Sequence, residues 1–111
     1  MKAKITPPYY AVIFTNEKTA NLEGYTETAD HMVDLAARQP GYLGFESVSE
    51  GDLSISISYW ADLESIKAWK QVADHLAAQK MGREKWYKSY TPRIARVERE
   101  YSFEMEQETI L

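Results

Sequence analysis

The chain has 111 residues, 44% hydrophobic and 27% charged, and carries a formal charge of −4 from 13 basic and 17 acidic side chains. This is the composition of one small globular domain, and it argues against disorder and against nucleic-acid binding, which needs a concentrated cationic face. No cysteine occurs, so disulfides, a thiolate nucleophile and cysteine-ligated zinc or iron–sulfur sites are excluded. Met-Lys-Ala-Lys-Ile-Thr-Pro-Pro lacks the apolar core of a signal peptide, and no run reaches membrane-spanning length. A cytoplasmic protein without a membrane partner is the expectation.

Residues 1–8 read as an N-terminal extension closed by Pro7-Pro8, since proline cannot donate to a β-ladder. Tyr9 to Thr15 predicts a first strand covered on both faces. Leu22, Tyr25, Ala29, Met32, Val33 and Ala36 recur at threes and fours, which predicts a helix stopped by Pro40-Gly41. In a second strand, Tyr42–Ser49, Leu43 and Phe45 share one face while Tyr42, Glu46 and Val48 share the other. A short loop at Glu50-Gly51-Asp52 leads to a third strand, Leu53–Trp60, in which Leu, Ile, Ile and Tyr alternate with Ser, Ser, Ser and Trp. Asp62 predicts the N-cap of a second helix whose buried stripe is Leu63, Ile66, Trp69, Ala73, Leu76 and Ala77. Met81-Gly82 allows a break, Arg83–Tyr90 allows further helical turns, and Ile94–Tyr101 follows Pro92 as a last strand. Residues 9–101 thus form the domain, and 102–111 an acidic tail.

The order β-α-β-β-α-β predicts an α+β, ferredoxin-like fold with an antiparallel sheet and both helices on one face. The other sheet face then exposes a large apolar patch, which a second copy would cover; a homodimer is expected.

All three tryptophans (Trp60, Trp69 and Trp86) fall within residues 57–87, together with His75 and the basic residues Lys80, Arg83 and Lys85. Aromatics with polar tips, one near-neutral titrating imidazole and nearby cations suit a pocket for a flat organic ligand. Each also has a structural reading: Trp69 as a core anchor, Trp60 as a cap on the core, Trp86 as a packing residue, and His75 and Arg83 as solvated surface groups. His31 reads as a surface residue. Neither histidine belongs to a metal-binding spacing.

Gln39-Pro-Gly-Tyr-Leu-Gly-Phe-Glu46, Ser58-Tyr-Trp60, the segment from Trp69 to His75, and Gly82-Arg-Glu-Lys-Trp-Tyr87 resemble the antibiotic biosynthesis monooxygenase family, across roughly residues 9–101. The resemblance implies a dimeric α+β barrel. It also implies one of several activities: cofactor-free oxygenation of an electron-rich aromatic or enolic small molecule by O₂, haem degradation, or ligand binding without turnover. Haem-degrading members carry an Asn on the first strand, a Trp on the second helix and a His ten residues later. Here Trp69 matches, Gln79 stands at the histidine position, and Tyr9–Thr15 holds no Asn. Polyketide-type oxygenases carry Asn, Trp and Tyr at spacings that fall on Ser65, Trp69 and His75. Six residues turn a helix by about 240° past one revolution, so Trp69 and His75 share a pocket only if the second helix bends. The resemblance implies His75 as proton acceptor, Trp69 and Arg83 as stabilisers of the substrate anion, and Tyr10, Tyr59, Trp60 and Trp86 as pocket walls. No cofactor is expected, with haem as the alternative.

Overall fold

A computed structural model describes residues 5–79 and 85–106. Its elements run β1 (Tyr9–Lys18), α1 (Tyr25–Ala37), β2 (Tyr42–Glu50), β3 (Leu53–Trp60), α2 (Leu63–Gln79) and β4 (Tyr87–Val97). The four strands form one antiparallel sheet in the order β2-β3-β1-β4. The fold is α+β and ferredoxin-like, as the element order predicts.

Strand β1 is central, and its pleat sets the two faces of the sheet. Tyr10 and Val12 point to the helices, where they pack with Tyr42 and Trp69 against a core of Ala36, Trp60 and Ile66. Tyr10 pairs with Trp60, Val12 with Ser58, Phe14 with Ser56 and Asn16 with Ser54, so β3 presents its serines and Trp60 to the helices. Leu53, Ile55, Ile57 and Tyr59 fall on the opposite face.

Three strands differ from the sequence pattern. Strand β1 runs on through Asn16, Glu17 and Lys18; a polar residue at an inward position breaks the apolar pattern without breaking the ladder. In β2 the register slips between Tyr42 and Gly44, and this extra residue brings Tyr42 onto the same, helix-facing side as Phe45. Tyr87–Tyr90 is strand rather than helix, and β4 passes through Pro92, which pairs opposite Phe14. Proline is tolerated there because β4 is an edge strand, where one side of the backbone needs no ladder partner. The ladder ends at Val97 rather than Tyr101. Beyond it Tyr101, Phe103 and Met105 are 87%, 87% and 85% exposed.

Helix α2 starts where Asp62 caps it: Asp62 Oδ1 accepts the Ser65 N–H at 2.8 Å. That bond holds the Asp62 carboxyl below its usual pKa. The turn before β2 brings backbone against this helix start. Gly41 has φ +83°, and a Cβ there would lie 2.6 Å from Ser65 Cβ and 2.0 Å from Ser65 Oγ. Its carbonyl accepts the Ala61 N–H at 2.8 Å.

Gly41→Ala should therefore cost about 3 kcal/mol in urea unfolding, combining left-handed backbone strain with overpacking. Gly51→Ala, at φ +59° with open space around it, should cost only ~1 kcal/mol. Equal losses would remove the Ser65 contact as the cause.

Candidate functional site

Two aromatic clusters stand at opposite ends of the helix-facing side of the sheet. At one end Trp60 stacks on Trp69, with centroids 6.0 Å apart and planes at 23°, and Tyr42 meets Trp60 edge-on at 5.7 Å. Trp60 Nε1 donates to Ser58 Oγ at 2.8 Å, which satisfies the indole of a fully buried residue. At the other end Tyr87 contacts Phe14 at 5.7 Å, Tyr25 at 6.1 Å and Tyr90 at 5.6 Å. Burial, and then the neighbouring Tyr25, push the Tyr87 hydroxyl well above an ordinary phenol, so it stays protonated at neutral pH.

Between the clusters, β3 supplies Ser54, Ser56 and Ser58 on successive inward positions. The levels of Trp60 and Ser54 are six residues apart, or about 20 Å along the strand. At the far level the polar groups connect. Lys18 Nζ donates to Ser54 Oγ at 2.8 Å, and Ser54 Oγ donates to Asn16 Oδ1 at 2.9 Å. Lys18, Asn16 and Ser54 are only 7%, 6% and 7% exposed. The Tyr25 ring lies 5.4 Å from Lys18 Nζ.

The structure brings together only some of the residues singled out in the sequence. Tyr10, Trp60 and Trp69 meet in one cluster. Trp60 has no accessible surface, so it backs Trp69 rather than offering a face of its own. Trp86 is also buried and belongs to the other end, where it meets Tyr25 at 5.6 Å and its Nε1 donates to the Glu23 carbonyl at 2.9 Å. Tyr59 projects from the opposite sheet face. His75 is exposed on α2. His31 is exposed on α1 and lines a surface cleft of about 340 Å³ with Glu23, Glu27, Lys85 and Trp86. Arg83 lies outside the described residues. Among those residues, no group of three or more histidine or acidic side chains is placed to hold a metal.

Asn16, Lys18 and Ser54 were not singled out from the sequence. A signal for them existed, since serine at every second position of β3 cannot be one side of a packed apolar core. Lys18 was hidden because the apolar run ends at Thr15.

A four-stranded antiparallel sheet with two helices on one face defines a ferredoxin-like α+β domain. The antibiotic biosynthesis monooxygenase family matches residues 8–81, and the chain belongs to that family. It is 50% identical over 99 residues to YqjZ of Bacillus subtilis, an uncharacterized protein, covering 88% of this chain and 87% of the other. It is 28% identical over 92 residues to the jasmonate monooxygenase of Pyricularia oryzae; the match takes in 79% of this chain but only 43% of that protein. Among solved structures, a variant of SnoaB, a cofactor-independent oxygenase from Streptomyces nogalater, superposes with a TM-score of 0.70 at 11% identity, over 85% of this chain and 97% of that one.

On the opposite sheet face Tyr59 donates to Glu46 Oε1 at 2.7 Å, and Tyr9 donates to Glu100 Oε1 at 2.8 Å. The two rings meet edge-on at 5.8 Å. Burial first, and then the bond to Glu46, push Tyr59 up to about 12. A raised pKa favours the neutral phenol in the folded state, so this stabilisation is present below pH 10 and is lost as pH rises towards 12. Ultraviolet titration should show more than one late-ionising tyrosine, Tyr59 and Tyr87 among them, and Glu46→Gln should shift one of these to lower pH. A titration unchanged by that substitution would remove Glu46 from the account.

Proposed function

We propose that this protein is a dimeric monooxygenase that works without a cofactor on an electron-rich phenol or enol. The observation that carries this reading is the serine-lined strip between two aromatic clusters. A domain built only to be stable would fill that layer with apolar side chains. A flat substrate can instead lie along β1 and β3, with Trp69 and Tyr10 at one end and Phe14, Tyr87 and Tyr90 at the other. The name of the jasmonate monooxygenase relative and the description of SnoaB support oxygenation.

The substrate supplies the electrons. Loss of its acidic proton to water leaves an anion, which transfers one electron to O₂ and gives a substrate radical and superoxide. The two combine through a carbon–oxygen bond, and protonation gives a hydroperoxide. At a CH₂ centre the hydroperoxide then loses water, so one O₂ yields one carbonyl oxygen and one H₂O. The aromatic walls exclude water while the radical pair recombines. No step is asked of His75, whose side chain is exposed.

Haem fits these residues poorly. An axial ligand would need an imidazole directed into the space between the helices and the sheet, whereas both histidines, His31 and His75, lie at exposed positions.

The second copy follows from the uncovered face. Val48, Leu53 and Ile55 are 69%, 61% and 42% exposed there, with Val48 directly opposite Ile55 and Leu53 at the end of the same pair of strands. The segment after β4 adds three exposed apolar side chains, Tyr101, Phe103 and Met105. Pairing the open faces of two copies buries both sets.

Light scattering should give twice the chain mass of 12.8 kDa. Ile55→Lys should reduce it to a single chain, and an Ile55→Lys protein of undiminished mass would place the contact elsewhere. For the chemistry, dithranol serves as a generic anthrone in a sealed oxygen electrode with EDTA present. The expected result is uptake of about one O₂ per molecule converted, above buffer autoxidation, falling roughly tenfold in Trp69→Ala as positioning is lost. Uptake equal to buffer across a panel of anthrones, naphthols and hydroquinones would overturn the oxygenase reading.

A further inference from the structure

Lysine is among the residues least often buried, and a buried ammonium is costly unless a counter-charge accompanies it. Lys18 is 7% exposed, and among the described residues it forms no ion pair; the basic residues that do are Arg38, Lys70, Lys88 and Arg96. Its compensation is a hydroxyl and an aromatic face: Ser54 Oγ at 2.8 Å and the Tyr25 ring at 5.4 Å. Both are weaker than a carboxylate.

The direction of the hydrogen bonds matters as much as the charge. Ser54 accepts from Lys18 and donates to Asn16 Oδ1, so its proton and the Asn16 carbonyl are both engaged. What remains is rich in donors: two further N–H groups on Lys18 and the amide NH₂ of Asn16, against one spare lone pair on each oxygen. A donor-rich cluster with a full positive charge matches an acceptor-only, negatively charged group. The cluster sits at the tyrosine-rich end of the serine strip, on the same sheet face as Trp60.

We propose that Lys18, held by Ser54 and Asn16, is the anion-recognition residue of the site, and that the ligand is a planar aromatic bearing a carboxylate or an ionised enol or phenol oxygen at one end. This rests on the reading that a ligand occupies the strip. It deepens that reading by specifying the charge of the substrate and which of its ends meets β1. The contact also has a chemical use: an ammonium beside an enolate or phenolate favours the ionised form, the species that reduces O₂.

The test uses a matched pair of probes, 2-naphthoate and 2-naphthamide, titrated against the full chain by calorimetry and tryptophan fluorescence. The rings are the same and only the charge differs. Wild-type protein should bind 2-naphthoate about tenfold more tightly. Lys18→Met keeps the aliphatic stem and should abolish that preference while leaving 2-naphthamide affinity within about twofold; Lys18→Arg should restore part of it. Equal binding of both probes to wild type, or a preference that survives in Lys18→Met, would overturn the assignment and leave the pocket standing. Binding of neither probe would overturn the assignment and the pocket together. Should Lys18→Met fail to fold, the wild-type preference and its reduction in Ser54→Ala decide the matter. No turnover is required, so the outcome is read independently of oxygen uptake.

Discussion

Strand β1 is bonded along both edges, to β3 on one side and β4 on the other, so its pleat cannot shift without breaking two ladders. A slip of one residue would exchange every inward side chain for an outward one. Within this fixed register Tyr10, Val12, Phe14, Asn16 and Lys18 all turn towards the helices, and Ala11, Ile13 and Thr15 turn away. The core, the polar strip and the uncovered face each take their position from that one alternation.

The inward series is not uniform. It begins with residues that pack on Trp60, Ala36 and Ile66 and ends with an asparagine and a lysine bonded through Ser54. One strand therefore contributes to a stabilising core at one end and to a polar site at the other. The stacked pair of Trp60 and Trp69 divides labour in the same way. Trp60 is wholly enclosed and gains its stability there, while half-buried Trp69 keeps some surface for contact. Small domains have little apolar area to spare, so leaving a layer polar makes burial of the outer face by a second copy more valuable.

Much of the architecture was legible in local pattern. The serine alternation of β3 and the Asp62 cap are short-range signals that survive in the structure; the helix stripes survive in part, since Leu63 of α2 is 52% exposed and Leu22, 42% exposed, lies before α1. Pattern and structure part where tertiary pairing overrides composition. Asn16 and Lys18 look like the end of a strand until β3 and β4 are seen to hold them in the ladder. Pro92 looks like a boundary until β4 is known to be an edge. Tyr42 changes face through a bulge that no periodicity announces.

The clustering of bulky aromatics around the β3–α2 junction is a local property of the chain, because Trp60 and Trp69 are nine residues apart across a strand end and a capped helix. The absence of cysteine chemistry is equally a property of the sequence. Tertiary packing sets which aromatics meet, puts Tyr59 on the opposite face and leaves His75 exposed on α2. The same packing buries Lys18 beside Ser54, a partner 36 positions away. Strand order and register bring such distant residues together through backbone hydrogen bonds, which any side chain can make. A side-chain pattern read along the chain therefore carries no record of them.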